Sequence, residues 1–174
     1  MIDDGDIMKD VELRLICELM RNCRKSDREL AKAIGVSQPT VSRVRTRLER
    51  EGVIEYTGVP NLEKLGYEII AITFAKWKRE QYPDEKVPEA LDFLRRHPNM
   101  LFVSTGMGIG SDRVTVSVHK NYSGFTKFVR ELQTEWEEFM KITDSFLMAL
   151  KSDNVLSPLS MKYLADCLRE EESE

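Results

Sequence analysis

A chain of 174 residues with 41% hydrophobic and 32% charged side chains can build one sizeable core or two small ones, which excludes a disordered polymer. No apolar run approaches the roughly 18 residues of a membrane span, and the acidic start MIDDGDIMKD has no signal-peptide core. The formal charge is −4, yet residues 21–50 alone sum to +6, so the rest of the chain carries −10. That asymmetry predicts an anion-binding face on an otherwise solubilising body. Cys17, Cys23 and Cys167 lack metal-ligand spacing and read as reduced thiols of a cytoplasmic protein, Cys17 within a core. His97 and His119 have no nucleophile or ligand partner near them in sequence, so no catalytic site, metal or cofactor is expected.

Segment 9–22 carries Val11, Leu15, Ile16, Leu19 and Met20 on one helical face. Ser26 with Glu29 three residues later forms a capping box that starts a second helix, with Leu30, Ala31 and Ile34 buried. That helix stops at Gly35, a residue free to take positive φ. Ser37 caps a third helix and Pro39 occupies its first turn. Two short helices around the turn GVS predict a helix-turn-helix.

The third helix decides the reading. At 100° per residue Val41, Val44 and Leu48 share the inner side. Pro39, Ser42, Arg43, Thr46 and Arg50 point outward, Gln38 and Arg47 flank them, and Arg45 lies near the apolar edge. A helix entering the major groove needs such a face: arginines for phosphates or guanine edges, and short polar groups near its start for bases. An ordinary solvated face is the plainer alternative. After Gly52, Val53, Ile54 and Tyr56 predict a short strand, and a hairpin there would add a wing.

The run MKDVELRLICELMRNCRKSDRELAKAIGVSQPTVSRVRTRLEREGVIEYTGVPNLEKLGY, with ELA, GVS, TVSR, RLEREGVI and LEKLGY in order, resembles the Lrp/AsnC (feast/famine) transcription regulators over residues 8–67. The resemblance implies an N-terminal DNA-binding domain and a C-terminal ferredoxin-like domain that dimerises and senses a small molecule. It places DNA contacts at Ser37, Gln38, Pro39, Ser42, Arg43 and Arg47. The outward face adds Thr46 and Arg50.

The second half agrees on its own periodicity. IIAITFAKW reads as a strand, KREQYPDEKVP as a polar loop, and PEALDFLRRHP as a helix with Ala90, Leu91 and Leu94 on one face. NMLFVST is a strand, and DRVTVSVHK alternates, Val114, Val116 and Val118 against Arg113, Thr115, Ser117 and His119, which makes His119 an exposed strand residue. YSGFTKFVRELQTEWEEFM keeps Phe125, Phe128, Val129, Leu132, Trp136 and Phe139 on one stripe, and KITDSFLMAL closes the series as a strand. The order βαββαβ is the split-βαβ arrangement. By parity, Phe102, Leu147 and Ala149 oppose Val103, Phe146 and Met148, with the helix-facing set left open. Either choice leaves apolar residues on an uncovered face that a partner's sheet would cover.

The glycines of STGMGIGSDR do not form a dinucleotide fingerprint, since Ser111 stands where a third glycine belongs and a strand follows. A tight hairpin turn is the plain reading. The family resemblance places an effector site at a TG-x-x-D hairpin between subunits, here Thr105, Gly106 and Asp112 with MGIGS inserted. Gly108 and Gly110 leave room for backbone N–H groups to meet a carboxylate. Leu159, Tyr163, Leu164 and Leu168 predict a further amphipathic helix before a frayed REEESE end.

The expected protein is α+β: a winged helix-turn-helix over 1–60, a linker over 61–68, and a ferredoxin-like dimerisation and effector domain over 69–174 that includes the extra helix. Its expected role is a cytoplasmic, sequence-specific regulator that binds double-stranded DNA as a homodimer or higher homo-oligomer, tuned by an effector such as an amino acid. Two rivals share these features. Tetrapyrrole-modifying decarboxylases resemble the family in both domains, and a nucleoid-type protein would use the same arginine face without sequence preference.

Overall fold

The computed structural model describes residues 10–78, 87–151 and 153–171. The chain divides into two units. One joins the segment up to Val59 with the segment from Pro158 onward, and the other runs Pro60–Ser157.

In the first unit, α1 (Asp10–Arg21), α2 (Asp27–Ile34) and α3 (Gln38–Arg50) surround Leu15, Leu19, Leu30, Ala31, Ile34, Val41, Val44 and Leu48. These are the apolar faces the helical period picks out, and Cys17 is buried with them. Each fully buried Leu or Val contributes about 1.5–3 kcal/mol. The Ser26 hydroxyl accepts from the Glu29 N–H while the Glu29 carboxylate accepts from the Ser26 N–H, so the box closes as expected. Those Ser26 hydrogen bonds hold the Glu29 carboxyl below its usual range. Gly35 ends α2 at φ 74°, and its N–H reaches the Ala31 carbonyl. No strand follows α3: the Val53 and Ile54 N–H groups both return to the Leu48 carbonyl, so the short strand and hairpin expected there do not form.

The sixth helix, α6 (Lys162–Glu171), belongs to this unit and not to the ferredoxin-like domain where the sequence places it. Ala165 is fully buried, and Arg21 of α1 donates to both the Ala165 carbonyl and the Asp166 carboxylate. Of the expected stripe, Leu159, Tyr163 and Leu164 are exposed and Leu168 is half-buried. Small Ala165 allows the close approach; larger side chains on that side would hold the helices apart.

The second unit is β1 (Ile69–Trp77), α4 (Val87–Arg96), β2 (Met100–Gly108), β3 (Ser111–His119), α5 (Tyr122–Trp136) and β4 (Met140–Ala149). The antiparallel sheet has order β2-β3-β1-β4, the ferredoxin-like arrangement. The polar loop expected between β1 and α4 falls largely on residues 79–86, outside the described residues, as do 1–9 and 172–174 of the termini. Phe93, Phe128, Leu132, Trp136 and Phe139 form the core between helices and sheet. On α4 the buried residue is Phe93, whereas Leu91 and Leu94 are exposed, so the expected face is turned.

The register fixes what alternation could not. Ala71, Thr73 and Ala75 of β1 and Ser117 and His119 of β3 are buried, and α5 packs on this side. Ile72 pairs with Val116 and Phe146, and Val116 with Phe102, so these four line one row of the opposite, open face. Phe102 therefore sides with Phe146 and Met148, contrary to the parity grouping. A register shift between Met100 and Phe102 breaks the simple count.

His119 is also reversed from expectation. It is 4% exposed, its Nε2 lies 2.8 Å from the Ser117 hydroxyl, and its ring abuts Phe125 and Phe128. Burial holds its imidazole below the ordinary histidine range. The unfolded chain protonates this ring near pH ~6.5, and the folded chain only at lower pH. Between those values the unfolded state binds more protons, so stability is full above that pH and declines as pH falls through it. Urea midpoints measured across this window should fall on acidification, and His119→Gln should flatten the decline.

Candidate nucleic-acid interface

The Ser37 hydroxyl accepts from the Thr40 N–H, fixing where α3 begins, and Pro39 sits in the first turn. With Val41, Val44 and Leu48 buried, the opposite side is set by geometry. Ser37, Gln38, Pro39, Ser42, Arg43, Thr46 and Arg50 are all exposed. The side chains of Gln38, Ser42, Arg43 and Thr46 make no hydrogen bond or ion pair among the described residues, so their donors are free for a ligand. Arg50 is 74% exposed at the side chain and lies 3.6 Å from Glu51.

Two arginines of this helix have other duties. Arg47, expected at the DNA face, ion-pairs with Glu12 of α1 and lies near Glu51. Arg45 donates to Glu49, to the Tyr56 hydroxyl and to Asp27 at the start of α2, and its guanidinium lies 4.9 Å from the Tyr56 ring centroid. These contacts fasten α3 to α1, to α2 and to the segment after it. The i,i+4 pair Arg45–Glu49 is legible in sequence. The partners Glu12, Asp27 and Tyr56 become visible only once the helices are packed. On α2, Arg28 and Lys32 are exposed and unpaired among the described residues, adding cationic charge to the unit.

The proposed effector residues lie on one hairpin. Thr105, Gly106, Gly108 and Gly110 are exposed, and Gly108 pairs with Ser111 across a two-residue turn. Asp112 faces inward: its Oδ1 accepts the Trp77 N–H at 2.9 Å, and Arg113 lies over the Trp77 ring. That carboxylate oxygen is engaged in joining β3 to the end of β1.

Among the described residues no His, Cys, Asp or Glu cluster could hold a metal, and no helix is long and apolar enough to cross a membrane.

Residues 8–55 match the family described as winged helix-turn-helix DNA-binding. The chain is 34% identical over 102 residues to an uncharacterized HTH-type transcriptional regulator of Pyrococcus furiosus, covering 58% of this chain and 66% of that one. It is 33% identical over 110 residues to the HTH-type transcriptional regulator LrpA of Pyrococcus horikoshii, covering 61% and 70%. Among solved structures, a Neisseria meningitidis transcriptional regulator in complex with L-Met superposes with TM-score 0.67 at 17% identity, covering 90% of this chain and 99% of that one.

The two classes of arginine should separate by experiment. Arg43→Ala should weaken duplex binding by ~1–3 kcal/mol if it grips a base, or lower the slope of log affinity against log salt by about one if it meets a phosphate. Arg47→Ala should lower the thermal midpoint and leave the salt slope unchanged. Salt-titrated gel shifts and thermal melts of both variants check this.

Proposed function

We infer that this chain, which belongs to the Lrp/AsnC family of HTH-type transcriptional regulators, reads sequence on double-stranded DNA as a homodimer. Regulation of transcription rather than catalysis is what its relatives do, which sets aside the decarboxylase reading. The observation that carries sequence readout is the outer face of α3, where Gln38, Ser42, Arg43 and Thr46 stand exposed on a helix held by buried and ion-paired residues. Arg43 and Arg50 neutralise phosphates and release counterions, and Ser42, Thr46 and the Ser37–Gln38 end contact bases and backbone.

The dimer is supported by the open sheet face. Phe102 and Phe146 are 56% and 62% exposed, with Ile72 and Val116 half-buried between them. Ile70, Phe74, Val114 and Met148 extend the same face. A second copy meeting it about a two-fold axis presents the same residues and covers the patch. An effector of the amino-acid class at the hairpin of Thr105–Asp112 is supported by its exposed glycine backbone and by the Neisseria regulator solved with L-Met.

Selection from random duplexes should recover an inverted repeat with half-sites about 10 bp, or a multiple, apart. Tight binding without an enriched motif would mean a nucleoid-type protein. Phe146→Asp should halve the number of chains per assembly in sedimentation; an unchanged mass would defeat the sheet-face dimer. Thermal shift against the common amino acids tests the effector, and silence with all of them counts against it.

A further inference from the structure

Outside residues 21–50 the chain is strongly acidic, carrying −10. Against that background, one end of the second unit's sheet gathers lysines. Lys76 of β1 stands directly opposite Lys141 of β4 in the ladder. Two like charges in that relation repel and weaken the pairing. Both side chains are exposed, and neither forms an ion pair among the described residues. Lys78 follows two residues after Lys76, and its ammonium donates to the Glu137 carbonyl just past α5. The Lys78 N–H also reaches the Phe139 carbonyl at 2.8 Å, so main-chain contacts hold this lysine in place.

Beside these lysines a cleft runs between α5 and β4. Its volume is about 590 Å³, inside the range of roughly 300–1,000 Å³ usual for small-molecule sites. Leu132, Met140 and Ile142 give it an apolar floor, Leu132 buried and the other two half-buried. Lys78, Arg130 and Lys141 line it against one carboxylate, Glu137. Arg130 is exposed and has no acidic neighbour on its own helix: the residues one turn away are Thr126, Lys127, Gln133 and Thr134. It forms no ion pair among the described residues.

We propose that this cleft binds a small organic dianion, a phosphate ester or a dicarboxylate. Its charged end meets Arg130, Lys78 and Lys141, and its apolar body lies on the floor. A dianion offsets the repulsion between Lys76 and Lys141, and a guanidinium grips such a head through two parallel hydrogen bonds. The floor sets the ligand apart from a bare inorganic ion, because only an apolar body removes Met140 and Ile142 from water. The cleft lies at the β4 edge, and β1 separates β4 from the β2–β3 hairpin considered above for an amino-acid effector. The inference depends neither on that hairpin nor on DNA binding.

Titration calorimetry on the full chain at fixed ionic strength tests this with phenyl phosphate, benzylmalonate and inorganic phosphate. At least one of the two aromatic dianions should bind saturably, at one site per chain, and more tightly than inorganic phosphate. Which of the two binds better tells a phosphate ester from a dicarboxylate. Arg130→Ala and Lys141→Ala should each weaken that binding about tenfold or more. Arg95→Ala, which removes an exposed cation of α4 outside the cleft, should leave it unchanged. No saturable heat with either aromatic probe overturns the proposal, as does inorganic phosphate binding equally tightly. Binding that Arg130→Ala leaves intact, or that Arg95→Ala weakens as much, overturns it too. If the cleft variants fail to fold, amide shifts of the wild type decide. The bound probe should move Gln133, Lys141 and Ile142, and shifts confined to other elements overturn the site.

Discussion

Over its middle rows the sheet of the second unit gives its helices small side chains and sets large ones on the other side. Phe93, Phe128, Leu132, Trp136 and Phe139 fill the helix-side core. Interiors are close-packed, and beside that bulk the middle of the sheet supplies Ala71, Thr73, Ala75 and Ser117, while Trp77, Met100, Met140 and Ile142 pack against it near the strand ends. Isoleucine, valine and phenylalanine are thereby displaced to the open face. Removing such residues from water is favourable by about 25 cal/mol per Å², so the face is completed by a cover, and a second copy is the cover proposed. A histidine at the end of β3 shares this side. His119 fits beside Ser117, which meets its nitrogen, and the ring packs on Phe125 and Phe128.

In the first unit the constraint is charge. Of the nine cations in residues 21–50, Arg21, Lys25, Arg45 and Arg47 are tied to Asp166, Glu18, Asp27 and Glu12. Those ties hold α6, α2 and α3 in place. They also remove almost half of the apparent cationic surface from competition for an anion. What remains outward is Arg24, Arg28, Lys32, Arg43 and Arg50. The arginine-rich helix is thus two helices in one: its Arg45 and Arg47 side organises the domain, and its Arg43 and Ser42 side is free.

Local signals in the sequence foretold local structure well. Ser26 with Glu29, Gly35, Ser37 with Pro39, and the 3.6 and 2.0 periods located the helices and strands to within a few residues, because caps and periods act over one turn. What stayed hidden depends on partners. Alternation in β3 separates two faces and does not say which one meets α5. Parity in one strand says nothing about another once a register shift intervenes, which misplaced Phe102. Val53, Ile54 and Tyr56 have strand propensity, yet with the Val53 and Ile54 N–H groups turned back to Leu48 no ladder forms. Arg47 lay at the flank of the outer face by angle, and Glu12 of α1, 35 residues earlier in the chain, claimed it.

The location of α6 bears on how the DNA-binding unit is built. A chain that leaves the first unit after Val59 and re-enters it at Pro158 crosses between units twice. Arg21 fastens the returning segment to α1 within that unit, through the Ala165 carbonyl and the Asp166 carboxylate. Five outward cations on an otherwise acidic molecule give each recognition unit a modest electrostatic hold, and salt weakens it further. The proposed homodimer would add affinity by engaging two such units at once, where the second contact is intramolecular and its strength depends on how firmly the pair is held. In the homodimer proposed above, a sheet face that joins the copies and a helix that fastens each DNA-binding unit serve that same requirement from its two ends.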